Sequence, residues 1–183
     1  MTIKELHDIK NNSRLLIHHD EIQIAIQKLA DQIEKDYKNK NPIFIVVLNG
    51  ALIFSGHFLS KIKILCQTDY CHATRYMGRI FGKKVEWKAK PQIDLKDRHI
   101  IIVDDILDEG HTLSAITQFC HERKAKSVKS LVLVEKEHHR KNIKNYKADY
   151  CELTVPDEYV FGFGMDYNNY WRNLESIYSI KPS

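Results

Sequence analysis

The stretch Ile101–Thr112 reads IIVDDILDEGHT and puts two opposite kinds of chemistry at the ends of one short segment. Asp104 and Asp105 follow a run of apolar, β-branched residues, so adjacent carboxylates stand at the carboxyl end of a buried strand. In open α/β sheets, ligands bind at that edge. Gly110 and Thr112 come next, immediately before a helical pattern. Backbone N–H groups at a helix N-terminus attract anions. A glycine lets the chain curl closely around a phosphate, and Thr112 can both cap the helix and bond a phosphate oxygen. Acceptors suit sugar hydroxyls and donors suit a phosphate, so the ligand implied is a sugar phosphate. The competing reading is a surface loop solvated by its acids, with Thr112 as a plain cap. It would do for an isolated Asp pair but not for strand, acids, Gly-x-Thr and helix in succession.

Such a loop needs a sheet to hold it, and the flanking periodicities supply one. Ile43–Leu48 is a continuous apolar run without polar alternation, as in a strand covered on both faces and hence in a parallel sheet. Asn49-Gly50 turns the chain, and Ala51 to about Lys61 reads as a helix with Leu52, Phe58, Leu59 and Ile62 inward. The unit then repeats. His99–Val103 is a buried strand, Asp104–His111 a loop, Thr112 to about Lys124 a helix, and Val128–Val134 the next strand. Strand, loop, helix and strand at this spacing make a right-handed crossover. Upstream, Ile22, Ile26, Leu29, Ile33 and Tyr37 fall on one face of a helix from about Glu21 to Tyr37, with Asp20 as N-cap and Gln23 three residues on. Thr68–Tyr76 is extended, and the polar, glycine-punctuated segment 77–95 forms a long hairpin or a mobile flap. The class is α/β, a parallel central sheet flanked by helices. The C-terminal segment 155–183 adds a small hood within the same single domain.

Composition narrows the function. The 183 residues are 43% hydrophobic and 28% charged, ordinary for one globular domain. No apolar run is long enough to cross a bilayer, and MTIKELHDIK lacks a secretory apolar core, so the expected location is the cytoplasm. Cys66, Cys71, Cys120 and Cys151 form no CxxC pair and are expected to be reduced. The net charge of +4 does not mark a nucleic-acid binder. The basic stretch Arg123–Lys147 reads as a solvated surface, or as a field for a polyanionic small molecule. The pairs His18-His19 and His138-His139 lack metal-site spacing.

Val103–Thr112 resembles the PRPP-binding signature of the type I phosphoribosyltransferases, PRPP being 5-phosphoribosyl 1-diphosphate. Val155–Asn168 is similar to the purine- and metal-binding end of the hypoxanthine-guanine members, and Leu48–Ala51 to their pyrophosphate loop. The resemblance implies that Asp104 and Asp105 hold the ribose hydroxyls, and that Asp108, Glu109, Gly110, His111 and Thr112 wrap the 5′-phosphate. It implies Asn49, Gly50 and Arg172 at the pyrophosphate. Lys136 would donate to a purine 6-oxo group, Tyr159 would stack on the base, and Val160 would read its edge through the backbone. Asp166 would ligate Mg²⁺ and border the base, Asp108 would be the general base, and Arg75 and Tyr76 would latch the flap. A lysine donates and cannot accept, which favours an oxopurine over adenine. Glu109, His111 and Asn49 depart from the common pattern of small hydroxyl, lysine and basic residues and thin the side-chain charge near both phosphates. The implied substrates are a 6-oxopurine and PRPP, the implied assembly a homodimer or homotetramer. The rivals are another base such as xanthine, or a regulator that kept the pocket and binds RNA.

Overall fold

A computed structural model describes residues 1–75, 85–137 and 147–180. The chain runs α1 (Ile3–Asn11), β1 (Arg14–Ile17), α2 (His19–Tyr37), β2 (Ile43–Leu48), α3 (Leu52–Leu59), β3 (Gln67–Arg75), β4 (Val85–Ala89), β5 (His99–Leu107), α4 (His111–Glu122), β6 (Ser127–Lys136), β7 (Leu153–Val155), β8 (Tyr159–Phe161) and β9 (Ile177–Ile180). Six strands form the main sheet in the order β4-β3-β2-β5-β6-β7, and three form a small one, β1-β9-β8. The main sheet is parallel except where β4 runs antiparallel to β3.

The unbroken apolar runs have the cause expected of them. Successive side chains of a strand face opposite sides. Ile43, Ile45, Val47, Ile100 and Ile102 pack into one core with Leu113, Ile116 and Phe119 of α4. Phe44, Ile101 and Val103 pack into the other with Ile22, Ile26, Leu29 and Ile33 of α2 and Phe54 and Phe58 of α3. Both faces are covered, so every position must be apolar.

Several local expectations change. α2 begins at His19, and its first turn is closed by the Glu21 carboxylate, which accepts from the His18 N–H at 2.9 Å; Asp20 and Gln23 are not its cap. Leu52 is 58% exposed rather than inward, and Phe54 takes the core position on α3. β5 continues through the acid pair to Leu107, because pairing with β6 extends to Leu107↔Glu135. α4 starts at His111 behind Gly110, so Thr112 lies in the first turn and is not the cap. α1 was not anticipated, although Thr2 and Glu5 form a capping box that the sequence spells out. Tyr76 and positions 77–84 of the expected flap lie outside the described residues. Val85–Ala89 pairs with β3, and Leu95 is 2% exposed in the core. The hood exists, but it recruits β1 from the opposite end of the chain to pair with β9.

Candidate active site

A cavity of about 500 Å³ opens at the carboxyl ends of β2, β5 and β6, beneath the hood. Asn49, Gly50, Asp104, Asp105, Asp108, Gly110, His111, Thr112, Lys136, Tyr159, Val160, Asp166 and Arg172 all line it. These residues are far apart in the chain and were proposed from separate motifs. Glu109 is the exception among the loop residues. It lies outside the lining, and its carboxylate is 3.3 Å from His111 Nε2. Arg75 ends β3 opposite Val85.

The acid pair is the most buried polar feature of the site, each residue being 8% exposed. Adjacent strand residues point to opposite faces, so the two carboxyls serve different walls. Asp105 sits against Gly50, where an added Cβ would fall on its carboxylate. Its Oδ1 accepts from the Ile106 N–H at 2.9 Å. Asp104 lies toward β3 and accepts from the Asp105 N–H at 3.0 Å. Burial pushes the Asp104 carboxyl well above the usual range, and the neighbouring Asp105 adds to the rise. Burial also raises Asp105, against the pull of Asp104 hydrogen bonding and the Arg172 charge. A hydroxyl donor brought to the pair would offset part of that cost.

The turn into α4 follows from one glycine. Gly110 has φ +83, in the left-handed region that favours glycine, and its carbonyl accepts from the Ser114 N–H at 2.9 Å to start α4. The N–H groups of a helix's first turn have no partner within the helix itself, and those of α4 follow directly on this turn. Between these ends Asp108 is half-buried, with Lys136 Nζ 3.4 Å from its Oδ2. Lys136 is the last residue of β6, which fixes it beside the β5–α4 loop.

The hood closes the site through a small set of contacts. Arg172 Nη1 donates to the Gly164 carbonyl at 2.6 Å, and its Nη2 lies 2.6 Å from Asp166 Oδ1. Asp166 Oδ2 accepts from the Asn169 N–H at 2.7 Å. A Cβ at Gly164, whose φ is +106, would strike the Gly50 carbonyl. Gly164, Gly50 and Asp105 thus stack with no room for a side chain, fastening hood to sheet. Tyr159 is half exposed, and its hydroxyl donates to the Asp166 carbonyl at 3.1 Å. Phe161 and Phe163 are fully buried and serve to pack the hood. β8 is an edge strand, so alternate backbone groups are left for another partner.

The cavity also takes His72, Thr74 and Lys88 from β3 and β4, and Asn169 from the hood, none of them anticipated. Alternation along β3 was the only signal for His72 and Thr74. No thiol lines the cavity: burial pushes Cys71 and Cys120 up to about 12, and none of the four cysteines is in a disulfide. No helix among the described residues is long and apolar enough to cross a membrane.

Comparison with known proteins agrees with this geometry. The family model described as a phosphoribosyl transferase domain matches residues 13–169. The hypoxanthine-guanine phosphoribosyltransferase of Streptococcus pneumoniae is 36% identical over 176 residues, covering 96% of this chain and 95% of that one. The hypoxanthine-guanine-xanthine phosphoribosyltransferase of Tritrichomonas foetus is 31% identical, over 93% of this chain and 92% of that one. The crystal structure of a hypoxanthine phosphoribosyltransferase from Staphylococcus aureus superposes with a TM-score of 0.88 at 27% identity, covering 100% of this chain and 97% of that one. With the acid pair, the Gly110 loop and the hood meeting in one cavity, the chain belongs to the phosphoribosyltransferase family of enzymes, and its full-length relatives there include hypoxanthine-guanine phosphoribosyltransferases.

Proposed function

We propose that the protein transfers the 5-phosphoribosyl group of PRPP to hypoxanthine or guanine, giving IMP or GMP and pyrophosphate. The observation that carries this reading is the meeting of hydroxyl acceptors, a helix N-terminus and an aromatic- and lysine-bearing subsite in one cavity. Asp104 and Asp105 accept from the ribose hydroxyls, and Gly110, His111 and Thr112 hold the 5′-phosphate. Asn49, Gly50 and Arg172 face the pyrophosphate, and Lys136 donates to the 6-oxo group. Tyr159 offers its face to the base, while Val160 and Asp166 border its edge.

The bond from the anomeric carbon to pyrophosphate breaks as the bond to the purine nitrogen forms, and positive charge develops on the ribose. The purine nitrogen loses its proton to Asp108, which stands in the loop that wraps the sugar phosphate. Water reaching the activated sugar would hydrolyse it, so productive transfer requires its exclusion while both substrates are bound.

The donor set fits Mg²⁺ shared with substrate. Among the described residues no three His, Cys, Asp or Glu side chains gather to hold a metal by themselves. Mg²⁺ in such enzymes commonly takes one or two carboxylates and completes its shell with phosphate and water. Asp166 can supply one, and the ion would neutralise the departing pyrophosphate. Assembly as a dimer or tetramer and a cytoplasmic location accompany this reading.

A spectrophotometric assay of hypoxanthine, guanine, xanthine and adenine with PRPP and Mg²⁺ tests it. Turnover of hypoxanthine or guanine is expected, with adenine inert because Lys136 offers its 6-amino group no acceptor. Nucleotide binding without turnover of any oxopurine would replace the enzyme by a regulator.

A further inference from the structure

The cations of the cavity are unevenly occupied. Lys136 is committed to Asp108 at 3.4 Å, and Arg172 to Asp166 and to the Gly164 carbonyl. Lys88 lines the same cavity, is exposed, and makes no hydrogen bond or ion pair among the described residues.

Its place in β4 is irregular. His72 pairs with Ala89 and Ala73 with Trp87, so one step along β3 spans two along β4, and Lys88 is the extra residue of a β-bulge. Bulges re-aim a side chain and collect beside active sites. Trp87 anchors the strand by packing on Phe119 of α4, with ring centroids 4.9 Å apart. The bulge lets the next residue border the cavity. The wall it joins is that of Asn49 and Gly50, because His72 lies beside Leu48 in the parallel register of β2 and β3. That turn carries no cationic side chain of its own.

We infer that Lys88, delivered by the bulge in β4, binds the diphosphate of the activated ribose and supplies the charge that the Asn49-Gly50 turn lacks. This rests on the reading of the cavity as a PRPP site. A diphosphate is a concentrated anion, and a charge-assisted contact from a lysine already at the rim costs no broken ion pair.

Two measurements on Lys88→Met and Lys88→Arg test it. In steady state, Lys88→Met should lower kcat/KM for PRPP about tenfold, the low end for a charged hydrogen bond on an exposed side chain. The purine KM should stay within about twofold, and Lys88→Arg should restore most of the loss, as only the diphosphate contact is altered. By calorimetry, inorganic pyrophosphate with Mg²⁺ should bind Lys88→Met about tenfold more weakly, while a nucleoside 5′-monophosphate binds both proteins alike. Unchanged pyrophosphate affinity would overturn the assignment even though the wild-type enzyme turns over. Equal weakening of pyrophosphate and monophosphate would also overturn it, since Lys88 would then be one charge in a general field. If the wild-type protein gives no turnover, the transferase reading fails, and the pyrophosphate titration still decides Lys88.

Discussion

Asp104→Asn should make the protein more stable while impairing its use of PRPP. The Asp104 carboxyl is 8% exposed, accepts from the adjacent Asp105 N–H and is hydrogen-bonded to the Asp105 side chain. Burial and the Asp105 charge raise its pKa, and among the described residues no cation offsets them. Between the ordinary carboxylate pKa and the raised folded value, the folded chain holds this proton and the unfolded chain has released it. Stability therefore falls as pH rises through that window, by about 1.4 kcal/mol for each unit of separation. Asparagine has the same shape, keeps an oxygen for the Asp105 N–H, and never ionises. Removing a buried polar cost of about 1–3 kcal/mol should raise Tm by about 2–12 °C for a chain of this length. Loss of a charged acceptor for the ribose should lower kcat/KM for PRPP by about 10–100-fold. Thermal unfolding of both proteins at constant ionic strength, at about pH 5 and about pH 8, separates the terms. The gain should be larger at the higher pH. A variant less stable than wild type at about pH 8, or a gain independent of pH, would refute the claim that the site stores unfavourable charge.

Asp108→Asn should reduce turnover by about 10²–10⁴-fold, the usual range for a general base, with little change in PRPP binding; unchanged turnover would remove Asp108 from proton transfer. Lys136→Ala should weaken oxopurine binding and blur oxo-versus-amino selection at unaltered PRPP affinity, read by comparing KM for hypoxanthine and inhibition by adenine. An equal loss for PRPP would return Lys136 to the general basic field. Gly50→Ala should cost about 1–3 kcal/mol of stability as an overpacked substitution, and raise KM for PRPP, because the new Cβ displaces the Asp105 carboxylate. Retention of wild-type PRPP kinetics by that variant would show that Asp105 does not touch the ribose.

The central sheet was legible because its information is local. Ile43–Leu48, Ile100–Val103 and Leu131–Val134 are apolar at every position, a pattern that follows directly from cover on both faces. The acid pair and Gly110 stand at fixed short distances from that strand, so their place at its carboxyl edge could be read without long-range contacts. The motif resemblance added Lys136, Asp166 and Arg172, and the fold puts them in one cavity. Boundaries were less legible, since strand pairing decides them: β5 runs on to Leu107 because β6 does.

What the chain alone determined is thus the kind of layer, the edge that carries chemistry, and the acceptor and donor ends of the loop, all of them set by period and short spacing. Tertiary structure decided the rest. Only long-range pairing joins Arg14–Ile17 to Ile177–Ile180 in the hood. Only the register of β3 with β4 makes Lys88 a bulge residue. Only the close approach of Gly50 and Gly164 brings Asp166 and Arg172 over Asp105. Each of these depends on where two distant segments meet, and the side-chain period of a strand or helix carries no record of its partner.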